Sequence, residues 1–154
     1  MDALRLDRQL CFALYAASRA MTAAYRPLLA ELGLTYPQYL VMLALWEDAA
    51  EHGERSTVSV GHLSSRLHLD SGTLSPLLKR LTLAGLVDRR RSTDDERSVL
   101  VSLTPAGAAL RAEAECVPTR LAERFSVDGL DVEQLRDSIL AVTEALHAAD
   151  GSTA

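Results

Sequence analysis

Leu74, Leu77, Leu78 and Leu81 recur at i, i+3, i+4 and i+7, the stripe of a helix that turns one face to a core. The spacing predicts a helix over residues 71–84, capped by Asp70 or Ser71 and stopped by Gly85. Upstream, residues 6–31 read as a long helix that ends at Gly33. Thr35-Tyr36-Pro37 restarts the chain: Thr35 is the N-cap, Pro37 sits in the first turn, and Gln38 completes a capping box. That second, strongly apolar helix runs to about Ala50. A polar turn over 51–56, a short strand over 57–59 and a helix over 60–67 follow, and His68-Leu69-Asp70 turns into the leucine-striped helix. Two strands, 86–91 and 98–103, flank the polar loop 92–97 and predict a hairpin with a long tip. Thr104 then caps a helix with Pro105 at its first position, expected to reach about Phe125 with Pro118 inside it. Gly129-Leu130-Asp131 starts a last helix to about Ala149, and residues 150–154 read as a frayed tail.

A helix-turn-helix followed directly by a two-stranded wing is a winged-helix module. The fold class is therefore mainly α with a small β-hairpin wing, with helices added at both ends. On the leucine-striped helix the face opposite the stripe carries Gly72, Pro76, Lys79 and Arg80. Pro76 lies beyond the first turn, where proline costs up to ~3 kcal/mol in a free helix. Gly72, Thr73 and Pro76 are small enough for the backbone to approach a groove floor, and Lys79 and Arg80 can reach phosphates or guanine edges. At the hairpin tip, an Asp95 that holds Arg97 in one rotamer would prepare it for a narrow minor groove. The candidate DNA-contacting set is Ser71, Gly72, Thr73, Pro76, Lys79 and Arg80 on the helix, with Arg89, Asp95 and Arg97 on the hairpin. The plain alternatives are a solvated amphipathic helix and an ordinary surface ion pair.

Charge sharpens this. The net value of −5 argues against nucleic acid, but residues 55–97 hold eight basic side chains against five acidic ones. That segment is +3 and the rest of the chain −8, the asymmetry of a protein that meets phosphates with one face. The 154 residues suffice for one domain with a proper core. No export signal is visible, and the longest apolar run, Tyr39 to Trp46, falls far short of the ~20 residues of a membrane span. A cytoplasmic protein without membrane contact is expected, its thiols reduced unless challenged.

The chemistry lies near the start. Cys11 sits in Gln9-Leu10-Cys11-Phe12-Ala13-Leu14-Tyr15, and the only other cysteine, Cys116, is 105 residues away. Cys11, Tyr15, Ser18 and Tyr25 fall on one stripe of a helix, yet Tyr25 is ~21 Å along the axis from Cys11 and cannot reach its own chain's thiol. If the two meet, they meet across a dimer contact. Phenolic donors would favour the thiolate. A thiolate attacks a peroxide and becomes a sulfenic acid, which condenses with a nearby thiol, and Cys116 is the only second thiol. An inert cysteine buried among aromatic side chains is the other reading. His52, His62, His68 and His147 are scattered without ligand spacing, so no metal and no cofactor is expected.

The stretch around Cys11, Tyr25-Arg26-Pro27-Leu28 and Leu34-Thr35-Tyr36-Pro37-Gln38-Tyr39 resembles the organic-hydroperoxide-sensing repressors of the MarR family (OhrR type). Residues 70–81 resemble their recognition helix, and Asp95-Glu96-Arg97 through Leu103-Thr104 their wing. The resemblance covers nearly the whole chain. It implies a single MarR-type domain over 1–154, with the winged helix-turn-helix at about 55–104 and dimerisation helices at about 4–34 and 104–149. It makes Cys11 the peroxide-reactive thiol, and Tyr25 and Tyr36 its hydrogen-bonding partners from the dimer mate, with Tyr15 as an auxiliary donor. Cys116 matches the resolving cysteine of two-cysteine members, which form an intersubunit disulfide. The implied protein is a homodimeric repressor on pseudo-palindromic operator DNA, released by organic hydroperoxides, and not an enzyme. Two other readings stay open: a repressor released by a reversible phenolic ligand, and a thiol peroxidase, for which the basic helix and wing would have no purpose.

Overall fold

Most of the stop and start signals act where the sequence puts them in the computed structural model, which describes residues 4–95, 97–124 and 127–151. Helix α1 (Leu10–Ala30) ends ahead of Gly33, whose φ of 67° lies in the left-handed region that glycine enters without penalty. The Thr35 amide donates to Gln38 Oε1 at 2.8 Å, closing the capping box that opens α2 (Tyr36–His52). Strand β1 (Val58–Ser59) leads into α3 (Val60–Leu67), whose first turn is held by Ser59 Oγ accepting from the His62 amide at 3.1 Å. His68, at φ 51°, ends that helix and makes the tight turn. Asp70 then caps α4 (Ser71–Leu83), its carboxylate accepting from the Thr73 amide at 2.8 Å.

Strands β2 (Val87–Arg91) and β3 (Val99–Leu103) form the expected hairpin, in register from Val87 opposite Leu103 to Arg91 opposite Val99. β1 pairs with the other edge of β3, giving a three-stranded antiparallel sheet in the order β1-β3-β2. Thr104 caps α5 (Pro105–Ala114) through the Gly107 amide at 3.0 Å.

Two expectations about helix extent are corrected. The first helix does not begin at Leu6: Leu6–Arg8 is a 3-10 turn, Gln9 is extended, and α1 starts at Leu10. Arg5 pairs with Asp7 there (Nε to Oδ1 3.0 Å), and the break sets Cys11 in the first turn of α1. Nor does one helix run from Pro105 towards Phe125. α5 stops at Ala114 and α6 (Val117–Ala122) begins after Glu115 and Cys116. Pro118 has no amide to offer and its ring would crowd the carbonyl of Ala114, which disfavours a continuous helix, and Pro118 takes a first-turn position in α6. Phe125 itself lies outside the described residues, as do Glu96 and the tail 152–154.

The chain divides into two compact units, residues 1–121 and 122–154. The core of the first joins Leu28 and Leu29 of α1, Tyr39, Met42 and Trp46 of α2, Leu63 of α3, the four leucines of α4, and Val87 and Val101 of the sheet. The Trp46 indole N–H donates to the Gly107 carbonyl at 2.8 Å in this interior. Gly107 has no substitute: a β-carbon there would lie 2.0 Å from the Leu86 carbonyl oxygen. In the second unit, Asp131 caps α7 (Val132–Gly151), which leaves Leu135, Ile139, Leu140 and Leu146 exposed. Among the described residues no helix is long and apolar enough to cross a membrane.

Candidate DNA interface and thiol site

α4 has the two faces its pattern implies. Leu74, Leu77, Leu78 and Leu81 are buried, while Ser71, Gly72, Thr73, Pro76, Lys79 and Arg80 are exposed. Asp70 uses both carboxylate oxygens on Thr73, one for the amide at 2.8 Å and one for the hydroxyl at 3.0 Å. These bonds, the amide first, hold the Asp70 carboxyl below the usual carboxylate range. Arg89, Arg90 and Arg91 on β2 are exposed. Ser71, Asp95 and Arg97 line one cavity of about 380 Å³ with Ser59, Gly61 and Ser64, so the start of α4, the start of α3 and the wing tip share one surface.

The wing tip differs from expectation in one detail. Asp95 Oδ1 accepts from the Arg97 backbone amide at 3.0 Å, so its carboxylate shapes the turn instead of clamping the guanidinium. Ser92 supports the same turn, its hydroxyl oxygen accepting from the amides of Asp94 (3.2 Å) and Asp95 (3.3 Å). The Arg97 side chain is presented outward by a backbone fixed beneath it.

The candidate thiol-site residues lie towards both ends of the first unit. Cys11 is exposed in the first turn of α1, within an uncovered stretch that includes Leu10, Phe12 and Tyr15. Tyr15, one turn on from Cys11, carries the Arg19 guanidinium over its ring at 5.7 Å. Tyr25 sits ~21 Å along the same helix from Cys11. There it packs against Tyr36, ring centroids 4.9 Å apart, and against Tyr39 at 5.7 Å. Tyr25 and Tyr36 are half-buried, and burial pushes both phenols up, with Tyr36 adding to the effect on Tyr25. Tyr39 is pushed up to about 12 by burial first, then by Tyr25, Tyr36 and Cys116. All three therefore remain hydroxyl donors at neutral pH.

Tyr39 is the residue that the sequence reading missed, since it was absorbed into an apolar run. It touches both halves of the site. On one side are Tyr25 and Tyr36, and on the other it lines a cavity of about 420 Å³ whose far wall includes Ala114, Glu115 and Pro118, the break that carries Cys116. Cys116 is exposed, and its Sγ donates to the Glu113 carbonyl at 3.4 Å. Among the described residues no group of three or more His, Cys, Asp or Glu could hold a metal ion.

A helix-turn-helix with an exposed basic face, joined to a wing and set apart from two open thiols, defines a winged-helix transcriptional regulator. The family model described as transcriptional regulator SarA/Rot matches residues 23–113. The organic hydroperoxide resistance transcriptional regulator of Bacillus subtilis (strain 168) is 46% identical over 146 residues, 95% of each chain. Reduced AbfR bound to DNA, a structure of a Staphylococcus epidermidis protein, superposes with a TM-score of 0.75 at 30% identity over 95% of both chains. Disulfide-formed AbfR superposes with 0.62 at 33% identity over 91% of this chain and 93% of that one. The chain belongs to the MarR family of transcriptional regulators, and the B. subtilis relative named for organic hydroperoxide resistance is similar to it along nearly its whole length.

Proposed function

We propose that the protein is a homodimeric repressor that leaves its operator when an organic hydroperoxide oxidises Cys11. Cys11 is the reactive thiol, Tyr25 and Tyr36 of the other protomer hold it, and Tyr15 assists. The observation that carries this is the phenol pair of Tyr25 and Tyr36, rings 4.9 Å apart on one protomer and out of reach of that protomer's own Cys11. Two half-buried phenols packed together suit a sulfur brought by a second chain, and the exposed Leu10, Phe12 and Met21 of α1 suit its contact. Hydroperoxide chemistry is named for the B. subtilis relative, and reduced DNA-bound and disulfide forms are named for AbfR.

The thiolate of Cys11 attacks the hydroperoxide, taking one oxygen as a sulfenic acid and releasing the alkoxide, which is protonated to the alcohol. Cys116 of the other protomer then attacks that sulfur and expels hydroxide, leaving an intersubunit disulfide. On DNA, Ser71, Gly72, Thr73, Pro76, Lys79 and Arg80 enter the major groove, Arg89 meets phosphate, and Arg97, on the turn set by Asp95, reaches the minor groove. Two such heads ~34 Å apart suit a pseudo-palindrome.

The test is operator binding before and after one equivalent of cumene hydroperoxide. The wild type is expected to release DNA and to migrate as a crosslinked pair on a non-reducing gel, whereas Cys11→Ser stays bound. Release by Cys11→Ser as readily as by wild type would refute the sensing role. The cavity of about 420 Å³ beside Tyr39 and Trp46 favours a second reading, release by a reversible aromatic ligand. Recovery of DNA binding on dilution alone, without a reductant, would select it.

A further inference from the structure

Cys116 has a neighbour that neither motif nor pattern marks. Arg120 follows it by one helical turn in α6, and the Arg120 amide donates to the Cys116 carbonyl at 2.9 Å, so the two residues share that turn. The Arg120 guanidinium is held by Glu31, just past the end of α1, in a two-pronged pair: Nη1 to Oε2 2.6 Å and Nη2 to Oε1 2.9 Å. Glu31 and Arg120 are 89 positions apart in sequence. The pair is open to solvent, with side-chain exposures of 57% for Glu31 and 39% for Arg120, and pairs so exposed add little stability. Its geometry is the notable property: a planar fork fixed at both prongs keeps a cation on the Cys116 side of the α5–α6 break.

We propose that Arg120, clamped by Glu31, is a positioning residue for Cys116, steering its sulfur and balancing its negative charge as it attacks the oxidised Cys11. This rests on the disulfide step proposed above. In the resting protein the Cys116 thiol gives its proton to a backbone acceptor, the Glu113 carbonyl at 3.4 Å. Once that proton is lost the sulfur can no longer donate, and the guanidinium becomes its natural partner. The Glu31 carboxylate contributes most to holding the guanidinium protonated, with a smaller contribution from Cys116 one turn back. Ionisable groups around this segment include Glu113 and Glu115 beside the cysteine in the chain, Tyr39 from α2, and Arg111, which lines the same cavity as Tyr39, Glu115 and Pro118. Of the cations there, Arg120 is the one that shares a helical turn with Cys116 and is fixed by a two-pronged carboxylate. In the step itself the Cys116 thiolate forms the S–S bond, the sulfenic S–O bond breaks, and hydroxide leaves to become water. Two electrons pass from Cys116 to the oxidised sulfur, and the hydroperoxide is the ultimate oxidant.

The experiment follows both steps in the full-length dimer after one equivalent of cumene hydroperoxide. Dimedone labelling reads sulfenic acid at Cys11, and a non-reducing gel reads the crosslink. Arg120→Gln and Glu31→Gln are expected to leave sulfenic acid formation at the wild-type rate. Crosslinking should slow by at least about tenfold, so that the sulfenic form accumulates. Arg120→Lys should recover much of the rate, and the Gln deficit should shrink at alkaline pH, as a charge-balancing role requires. Crosslinking by Arg120→Gln at the wild-type rate and with the wild-type pH profile would overturn the inference. So would an equal deficit at every pH with no recovery in Arg120→Lys, which marks a purely structural tie. A wild type that makes sulfenic acid but no Cys11–Cys116 crosslink would instead remove the disulfide step, and the role of Arg120 with it.

Discussion

The DNA-reading end and the thiol end of this chain are finished to different degrees. α3, α4 and the wing satisfy themselves inside one protomer: Ser59, Asp70 and Thr104 cap their helices, four leucines of α4 are buried, and β3 is paired on both edges. The thiol end is left open. Leu10, Phe12, Tyr15 and both cysteines are exposed, and Tyr25, packed against Tyr36 of α2, stands ~21 Å along α1 from Cys11. A reading head that must keep its shape in every state is built complete. In the proposed function a second copy completes the thiol end, whereas each protomer builds its reading head alone.

This contrast can be broken most forcefully at Gly107. A β-carbon at 2.0 Å from the Leu86 carbonyl cannot be relieved by a rotamer change, so Gly107→Ala should cost about 3 kcal/mol. Thermal melting should show it as a fall of roughly 2–4 °C per kcal/mol. Unchanged melting would mean that this junction is less rigid than its contacts imply. Next in size is Arg80→Ala on the exposed face of α4. Operator affinity should fall by about 1–3 kcal/mol if it reads a base, or nearly uniformly across sequences with a salt slope reduced by about one if it meets phosphate. Dimedone labelling of Cys11 should not change, and a change would couple the two ends more tightly than their separate construction suggests.

The smallest effect concerns Asp70. Its carboxyl lies below the ordinary value of 3.8 in the folded chain, so the unfolded chain takes up a proton first as pH falls. The stabilisation is present in full above the ordinary value and is lost as pH drops through the lower folded one. Asp70→Asn keeps an acceptor for the Thr73 amide without this titration, so its melting temperature should fall less than that of wild type between about pH 5 and pH 3. Parallel melting curves would refute the assignment.

Much of the reading head was legible because its signals are local. The leucine spacing of α4, the cap at Asp70 and the capping box at Thr35 and Gln38 are settled within a few residues, and the structure follows them. The sensor end was legible only in part. Pro118 announced a disturbance but not its position, and the break fell before it, at Glu115 and Cys116. Tyr39 read as one apolar residue among eight, because its place between Tyr25 and the Cys116 segment depends on how three helices pack. The Glu31–Arg120 pair spans 89 positions and leaves no periodic trace at all. At the wing, sequence proximity suggested a side-chain pair between Asp95 and Arg97, but a carboxylate two residues before an amide finds the backbone first.

The seam at the start of α5 has a mechanical meaning. Thr104 gives its amide to the Leu86 carbonyl at 3.1 Å and its hydroxyl to the Gly85 carbonyl at 2.6 Å, while Gly107 is tied to Trp46 at 2.8 Å. Ten helical residues then run from this anchored foot to Ala114, a stiff rod ~15 Å long with the Cys116 sulfur just beyond its tip. Pulling on that sulfur loads the rod at its far end. The hairpin and the close of α4 are bolted to the foot, so they would swing as one piece instead of bending out of the way.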